Sequence, residues 1–168
     1  MKITNKIYNN ILVFNQSRVI IGLSDKGYGL TYFAKRDFLP NEIIIKIYGK
    51  IMFKQTEKHS IQIDFNKHIN PGEYSGKYLN HSCNSKTYVN TSQNGFPLIK
   101  AKEKIRVGEE IVYSYFMTEF EWSDMAQEKK LKCSCNSTNC KGKIEAFKDL
   151  PNNKKQFFIE NRLISNYL

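Results

Sequence analysis

Four cysteines form the pattern in this chain that most clearly suggests chemistry. Cys133, Cys135 and Cys140 lie within a stretch of eight residues, and Cys83 lies fifty residues upstream. A C-x-C pair cannot easily close a disulfide on itself in relaxed geometry. In a reducing compartment the pattern therefore predicts one four-cysteine metal site rather than two disulfides. The alternative, four unrelated buried cysteines, is disfavoured by the C-x-C-x4-C spacing.

Three further groups of residues could bind a ligand or take part in catalysis. Gly27 and Gly29 lie in a turn, where glycine lets the backbone approach a ligand and adopt φ values closed to other residues. A plain hairpin turn explains the same pair. Asn80 offers both a donor and an acceptor, which suits an ammonium and a carboxylate together. Tyr113 and Tyr115 lie on one face of a predicted strand, where they could also simply pack the core.

Four segments, taken in order, resemble the SET-domain lysine methyltransferases. They are residues 26–30 (KGYGL) followed by 33–34 (FA), residues 78–83 (YLNHSC), residues 108–115 (GEEIVYSY), and residues 133–135 (CSC) with 140–144 (CKGKI). The glycine pair alone is weak evidence, whereas all four segments in register are very specific. The resemblance runs from about Lys26 to the end of the chain, and includes stretches 119–125 and 147–150 that are similar to small single-domain members.

The resemblance implies that the chain binds S-adenosylmethionine (AdoMet). In the family, the glycine turn contacts the methionine part of AdoMet, and the Asn-His pair binds it through a side-chain amide and backbone groups. The cofactor-binding residues implied here are Lys26, Gly27, Tyr28, Gly29, Asn80, His81, Tyr115 and Leu131. His81 is expected to act structurally through its main chain, not as a general base or a metal ligand.

The resemblance also implies that Cys83 joins Cys133, Cys135 and Cys140 on one zinc ion, as in the family's post-SET motif. A four-thiolate site without an open position is structural rather than catalytic. Its expected effect is to hold the C-terminal segment over the active site, closing the cofactor pocket and one wall of the lysine channel.

Tyr115 matches the family's catalytic tyrosine, which implies an AdoMet-dependent protein-lysine N-methyltransferase acting on a histone tail or another protein. Methyl transfer is an in-line displacement that needs a neutral amine held opposite the sulfur, so positioning supplies much of the acceleration. Desolvation and the cationic sulfonium favour that neutral amine. Tyr113 occupies a position that holds Phe or Tyr in the family, and Tyr implies a mono- or dimethyl-lysine product.

The chain departs from the family pattern at four places. Ser85-Lys86 replaces the usual Pro-Asn, Ser114 replaces an acidic residue, Lys50 replaces Glu, and Lys141 replaces Arg. These departures concern substrate choice and full activity. They leave open a catalytically inactive SET-like scaffold stabilised by zinc. A second alternative is a basic binding module, which the net charge and the cysteine cluster suit.

The elements that must position these residues are mostly short strands. β-branched and aromatic runs, alternation and turn signals predict strands at 11–14, 18–21, 30–34, 42–48, 59–65, 87–90, 96–101 and 111–115. Within 59–65, alternation places Ile61, Ile63 and Phe65 on one face and Gln62 and Asp64 on the other. Asn94-Gly95 predicts a hairpin turn. Residues 116–130 are weakly helical, and apolar spacing over 152–168 predicts a small amphipathic helix.

The fold class is therefore mostly β. The resemblance adds the family's β-clip, with several small curved sheets, short helices at the C-terminus and a pseudoknot-like threading of the C-terminal segment. The expected organisation is an N-terminal extension over residues 1–17, a SET domain over 18–126, a post-SET zinc segment over 127–145 and a helical tail over 146–168.

Composition restricts the location and the partners of the protein less sharply. Lys and Arg number 26 against 16 Asp and Glu, so the net charge is +10. Such a surface attracts polyanions, including nucleic acid, but the charges are scattered and equally explain solubility. The chain has no signal-peptide pattern and no membrane-length apolar run. We therefore expect a soluble intracellular protein without a membrane partner, nuclear or chromatin-associated if it acts on a histone.

Overall fold

The fold is taken from a computed structural model that describes residues 5–53, 59–122 and 131–168. Most of its regular structure is short strands. In chain order the elements are helix α1 (Asn5–Gln16), strands β1 (Val19–Leu23), β2 (Leu30–Ala34), β3 (Ile43–Lys46), β4 (Gly49–Met52), β5 (Ile61–Asp64), β6 (Lys67–Pro71), β7 (Asn80–His81), β8 (Thr87–Thr91), β9 (Pro97–Ala101) and β10 (Glu110–Tyr113), 3-10 helices at Tyr115–Met117 and Phe147–Asp149, and helix α2 (Asn152–Glu160).

The strands form three small sheets, with orders β1-β2-β10-β7, β3-β9-β8 and β4-β6-β5. Most pairs are antiparallel, but β7 and β10 run parallel. The sheets enclose one apolar core that includes Tyr32, Phe38, Ile45, Ile99 and Ile111, all fully buried. The mostly β fold class with several small sheets and short C-terminal helices is confirmed.

Several predicted strands are found with nearly the predicted bounds. Residues 30–34 form β2, and the predicted pair at 87–90 and 96–101 forms the antiparallel hairpin of β8 and β9. Three strands were not predicted, namely β4, β6 and β7. Each of these is short or lacks a strong apolar alternation, so pairing partners rather than local sequence define it.

The strand predicted at residues 11–14 is wrong, because this stretch belongs to helix α1. A strand would bury Ile11 and Val13 together, but Val13 is 66% exposed. The buried position is Asn15, whose side-chain amide donates to the Lys46 and Tyr74 carbonyls at 2.9 and 2.6 Å. This tertiary contact outweighs the β propensity of the Ile-Leu-Val-Phe run.

The alternation predicted for residues 59–65 is wrong at two positions. Gln62 is 5% exposed, whereas Phe65 is 55% exposed. The register of β5 against β6 shifts between Gln62 and Asp64, which breaks the two-residue period. Gln62 is buried because its Oε1 accepts a hydrogen bond from the Phe120 backbone N–H at 2.9 Å.

The predicted helical stretches are shorter than expected. From 116–130 the structure describes one 3-10 turn at Tyr115–Met117, and residues 123–130 lie outside the described residues. Helix α2 ends at Glu160, and Arg162 has a positive φ of 53°. Beyond it, Ile164 still packs into the core. Within the described residues, no helix has the length and apolar character needed to cross a bilayer.

Candidate functional site

The site is built where two distant segments pair as parallel strands. β7 and β10 align Asn80 with Val112 and His81 with Tyr113. The backbone N–H of Ser82 extends this pairing by donating to the Tyr113 carbonyl at 3.1 Å. The pairing brings the Asn-His-Ser-Cys segment directly beside the segment that carries the two tyrosines.

Tyr115 begins the 3-10 turn that follows β10. Its hydroxyl donates to the Leu79 carbonyl at 3.0 Å, and its backbone N–H donates to His81 Nδ1 at 3.2 Å. Its ring centroid lies 5.0 Å from that of Tyr113 and 6.2 Å from that of Trp122. Both ends of the Tyr115 side chain are therefore held in place.

A narrow cavity of about 60 Å³ opens beside the Tyr115 ring. Its walls are aromatic and polar, and include Ser60, Leu79, Tyr113, Tyr115, Glu119 and Trp122. A larger cavity of about 450 Å³ lies between β8 and the C-terminal tail, near Thr91 and Leu168, and contains none of the predicted site residues. Of the predicted site residues, Tyr113 and Tyr115 line the smaller cavity.

Tyr113 is buried, and its hydroxyl lies 3.1 Å from the Thr118 hydroxyl. Burial, with a further contribution from the nearby Glu119 charge, raises the pKa of both Tyr113 and Tyr115 well above the ordinary value of a phenol. Both phenols therefore stay protonated near neutral pH and can donate hydrogen bonds.

His81 links the tyrosine segment to the cysteines. Burial, assisted by the charge of Lys154, lowers the pKa of His81 to about 4. The ring is therefore neutral near pH 7. Its Nδ1 accepts from Tyr115 N–H, and its Nε2 lies 3.4 Å from Cys83 Sγ. These contacts are made by the His81 ring, whereas the family resemblance implies that His81 acts through its main chain.

The glycine turn leaves space beside its backbone. Gly27 and Gly29 have φ values of 76° and 80°, and no heavy atom lies within 4 Å of the point where either would carry a Cβ. Lys26 Nζ pairs with Glu110 Oε2 at 2.5 Å. The Tyr28 hydroxyl and Glu110 Oε1 are buried without a hydrogen-bond partner in the described part of the chain. A ligand with polar groups would satisfy both.

Asn80 faces this turn across the sheet, because its side-chain amide donates to the Leu30 carbonyl at 2.9 Å. Leu131 lies at the start of the cysteine-bearing segment, and its carbonyl accepts from Ile144 N–H at 2.9 Å. The described contacts therefore connect Asn80, but not Leu131, to the strand that follows the glycine turn.

The four cysteines converge on one point. The sulfur atoms of Cys83, Cys133, Cys135 and Cys140 all lie within 4.8 Å of one another, and those of Cys83 and Cys133 are 3.7 Å apart. Burial alone would raise the pKa of Cys135, but hydrogen bonds from Ser137 and from the Cys83 backbone N–H lower it to about 5. This cluster can hold a metal ion.

Comparison with known proteins decides the family. The family profile described as SET domain matches residues 27–116, which is more than half of the chain. This chain belongs to the SET domain family. The matched range begins at Gly27 and ends just after Tyr115, so it contains the glycine turn, the Asn-His-Ser-Cys segment and both tyrosines.

The SET domain of this chain is similar to fungal proteins named histone-lysine N-methyltransferase, H3 lysine-36 specific. The one from Coccidioides immitis is 33% identical over 144 residues, and the one from Emericella nidulans is 28% identical over 144 residues. Each match covers 74% of this chain but only 14% of the relative's length. A solved structure of a candidate histone methyltransferase from Plasmodium falciparum matches 58% of this chain and 92% of that chain, with a TM-score of 0.49 and 25% identity.

The departures from the family pattern at Ser85-Lys86, Ser114 and Lys141 have identifiable contacts in this SET domain. The Ser114 hydroxyl donates to the Ser82 carbonyl at 2.8 Å, so it joins the two site segments without a charge. The Ser85 hydroxyl donates to the Thr87 carbonyl at 3.0 Å. Lys86 pairs with Glu109 and Lys141 with Glu145, each at 2.9 Å. None of these contacts occupies the cavity beside Tyr115.

The structure adds residues that the sequence did not single out. Leu79, Glu119 and Trp122 line the cavity, and Gln62 contacts the segment that contains Glu119. One signal was available for Glu119, since it is the charged residue within the mostly apolar and aromatic run at 115–120. Gln62 carried no such signal, because its burial depends on the irregularity in β5.

Proposed function

We propose that this chain is an AdoMet-dependent protein-lysine N-methyltransferase. The observation that carries the proposal is the fixed Tyr115 hydroxyl, 3.0 Å from the Leu79 carbonyl at the wall of a narrow aromatic cavity. The strand that follows Leu79 carries Asn80 and pairs with the strand that leads to Tyr115. A lysine side chain entering this cavity would meet the two groups that can orient its nitrogen.

The residues of the chain act by positioning. The Tyr115 hydroxyl and the Leu79 carbonyl orient the lysine nitrogen, and the aromatic walls exclude water, which favours the neutral amine. AdoMet, when bound, supplies the electrophilic methyl group on a cationic sulfur. The glycine turn and Asn80 would hold it, since the unpartnered Tyr28 hydroxyl and Glu110 Oε1 provide polar groups there. Those groups fit an amino-acid-bearing ligand.

Zinc fits the cysteine cluster. Tetrahedral coordination with Zn–S bonds of about 2.3 Å places sulfur atoms about 3.8 Å apart. The Cys83 and Cys133 sulfurs are already 3.7 Å apart. Four thiolates leave no open position, so the ion would be structural and would hold residues 131–145 against the segment that contains His81.

For the substrate we propose a histone, with mono- or dimethyl-lysine as the product. The fungal relatives are named as specific for H3 lysine 36, which makes a histone the first acceptor to test. The Tyr113 hydroxyl supports the limited product, because it reduces the room beside the amine. The net charge of +10 favours a narrow contact with a basic tail over a wide one.

The test is methyl transfer from labelled AdoMet to core histones and to a cell lysate. We expect the wild type to label lysine and Tyr115→Phe to lose at least about 100-fold in rate. Tyr88→Phe is the matched control, because its hydroxyl contacts Asn41 Oδ1 at 3.0 Å, outside the cavity.

Two other outcomes would favour the alternatives. AdoMet binding without transfer to any acceptor would indicate an inactive scaffold. Failure to bind AdoMet would leave a basic, zinc-stabilised binding module. Equal losses in Tyr115→Phe and Tyr88→Phe would remove the special role of Tyr115.

A further inference from the structure

An acidic side chain lines the cavity beside Tyr113 and Tyr115. Glu119 is 4% exposed, and its side chain forms part of the cavity wall. Burial disfavours the charged form of a carboxyl group, and it raises the pKa of Glu119 to about 7. Near neutral pH this group is therefore divided between its acid and its anion.

The carboxyl group is held by neutral donors. Glu119 Oε1 accepts from the Gln62 backbone N–H at 3.0 Å and from the Thr118 hydroxyl at 3.1 Å. The ion pairs described within residues 5–53, 59–122 and 131–168 join lysine or arginine to carboxylates other than Glu119. His59 lines the same cavity. Lys77 lines the same cavity but places its ammonium 5.4 Å from the centre of the Tyr78 ring.

A buried carboxylate without a cation is costly unless a partner arrives. The partner must be thin enough for a cavity of about 60 Å³ and must tolerate aromatic walls. A lysine side chain meets both conditions, because it carries its ammonium at the end of an apolar stem that packs against aromatic rings. The cavity therefore has the chemistry of a receptor for a primary ammonium group.

The two phenols in the cavity wall cannot accept the proton that such an ammonium must lose. The pKa of each is raised well above its ordinary value, so Tyr113 and Tyr115 are already protonated. The described wall also includes His59 and Lys77, but among its carboxyl and phenol groups Glu119 is the one that can accept a proton near neutral pH. A pKa near the working pH is what a general base requires.

We propose that Glu119 is a further catalytic residue, which pairs with the substrate lysine ammonium in the cavity and takes one proton from it. This inference rests on the proposed methyltransferase function. The transfer leaves a neutral amine and a neutral carboxylic acid. The freed lone pair forms a bond to the methyl carbon of AdoMet, the carbon–sulfur bond breaks with its electrons on sulfur, and the methylated nitrogen carries the positive charge.

The experiment uses Trp122, the single tryptophan of the chain, as a reporter, because it lines the same cavity. Its fluorescence is followed during titration with n-butylammonium, which copies the end of a lysine side chain, and with neutral 1-butanol. The variant is Glu119→Gln, which keeps an oxygen to accept from Gln62 and Thr118. The matched control is Glu121→Gln, whose carboxylate pairs with Lys148 at the surface at 2.6 Å.

We expect the wild type and Glu121→Gln to bind n-butylammonium at least about tenfold more tightly than 1-butanol. Glu119→Gln should bind the two probes about equally. Equal affinity for both probes in the wild type, or an undiminished preference in Glu119→Gln, would overturn the proposal. If circular dichroism shows that Glu119→Gln does not fold, the affinities of the wild type for n-butylammonium and 1-butanol alone test the proposal.

Methyl transfer to core histones separates this inference from the proposed function. If the wild type transfers methyl groups, Glu119→Gln should lose at least about 100-fold in rate and lose the pH dependence near neutrality. An unchanged rate and pH profile would reject Glu119 as the base while the methyltransferase function stands. No transfer by the wild type to any acceptor would reject the methyltransferase function itself. The relative affinity for n-butylammonium and 1-butanol would still show whether Glu119 binds an ammonium group in the cavity.

Discussion

Tyr113 and Tyr115 are two residues apart, yet their hydroxyl groups have different partners. The Tyr115 hydroxyl donates to the Leu79 carbonyl, whereas the Tyr113 hydroxyl contacts the Thr118 hydroxyl. Thr118 in turn donates to Glu119, so the Tyr113 hydroxyl is connected to a carboxyl group and the Tyr115 hydroxyl is not. The two tyrosines can therefore be tested separately, one for rate and the other for product.

Replacing Tyr113 with Phe should change the product. The substitution removes a buried hydroxyl from the cavity wall and leaves the Tyr115 hydroxyl in place. We expect the proportion of trimethyl-lysine to rise, at a stability cost of about 1 kcal/mol for the lost hydrogen bond. Mass spectrometry of the methylated histone measures the product, with Tyr88→Phe as the control. Mainly trimethyl-lysine from the wild type would contradict the product expectation directly.

The raised pKa of Glu119 predicts that stability depends on pH. This pKa is about 7 in the folded chain against an ordinary 4.5, so the unfolded chain ionises first as pH rises. Glu119 in its neutral form gives the folded chain its full stability below about pH 4.5. This stability is lost as pH rises through about 7, because the buried carboxyl group must then ionise. Relative to Glu119→Gln, the wild type should lose roughly 3 kcal/mol across this window.

Urea unfolding of both proteins at pH 5 and pH 8 measures this difference. Comparing the two proteins at each pH cancels the contributions of the cysteines and of other acids. A difference between the proteins that does not change with pH would show that Glu119 titrates normally.

Among the elements, the C-terminal tail and β5 hold the 3-10 turn at Tyr115–Met117 and the residues that follow it. The C-terminal tail contacts it through the Tyr167 hydroxyl, which donates to the Thr118 carbonyl, and through Ser165 N–H, which donates to the Met117 carbonyl at 2.9 Å. β5 supports the following residues through Gln62. The tail thus helps to orient the segment that carries Tyr115 and Glu119.

Replacing Tyr167 with Phe should therefore disturb the site from outside the cavity. The change removes the donor to the Thr118 carbonyl but keeps the ring that packs 5.6 Å from Phe65. We expect a stability loss of about 1 kcal/mol and a reduced kcat with little change in KM for AdoMet. Steady-state kinetics of Tyr167→Phe measure kcat and KM. Tyr88→Phe, which also loses one hydroxyl, is the control. Identical kinetics in the two variants would mean that the tail contributes stability alone.

Across the whole molecule, the cysteine cluster connects parts of the chain that share no sheet. Cys83 is half-buried and follows β7, and Cys133, Cys135 and Cys140 lie in the segment that precedes α2. His81 contacts both Cys83 and Tyr115, so the cluster and the cavity are two contacts apart. A metal ion here would stabilise the site as well as the fold.

Loss of the metal should lower the stability of the fold and weaken ligand binding at the site. We expect one zinc per chain by elemental analysis, and Cys135→Ser should lose it, lower the Tm by at least about 5 °C and weaken AdoMet binding. Ser134→Ala, an exposed neighbour, is the control. Chelation of the wild type should reproduce the Cys135→Ser result. Unchanged Tm and AdoMet binding after chelation would show that the cysteines do not hold a structural ion.

The sequence by itself determined the cysteine set, the glycine turn, the tyrosine pair and strands such as β2, β8 and β9. These features depend on residue type and short spacing, which the chain carries locally. Four thiols in this pattern predict a metal site before any fold is known, and the Asn94-Gly95 turn predicts its hairpin because the turn geometry is local.

Only the tertiary structure decided that β7 pairs with β10, that residues 11–14 are helical, and that Glu119 is buried. Each depends on groups far apart in the chain, as when Asn15 reaches Lys46 or Gln62 reaches Glu119. Local propensity is worth only fractions of a kcal/mol per residue, whereas burial and hydrogen bonding to a distant partner are worth more. For this reason the tyrosine pair could be read from the sequence, but the burial of the carboxyl group beside it could not.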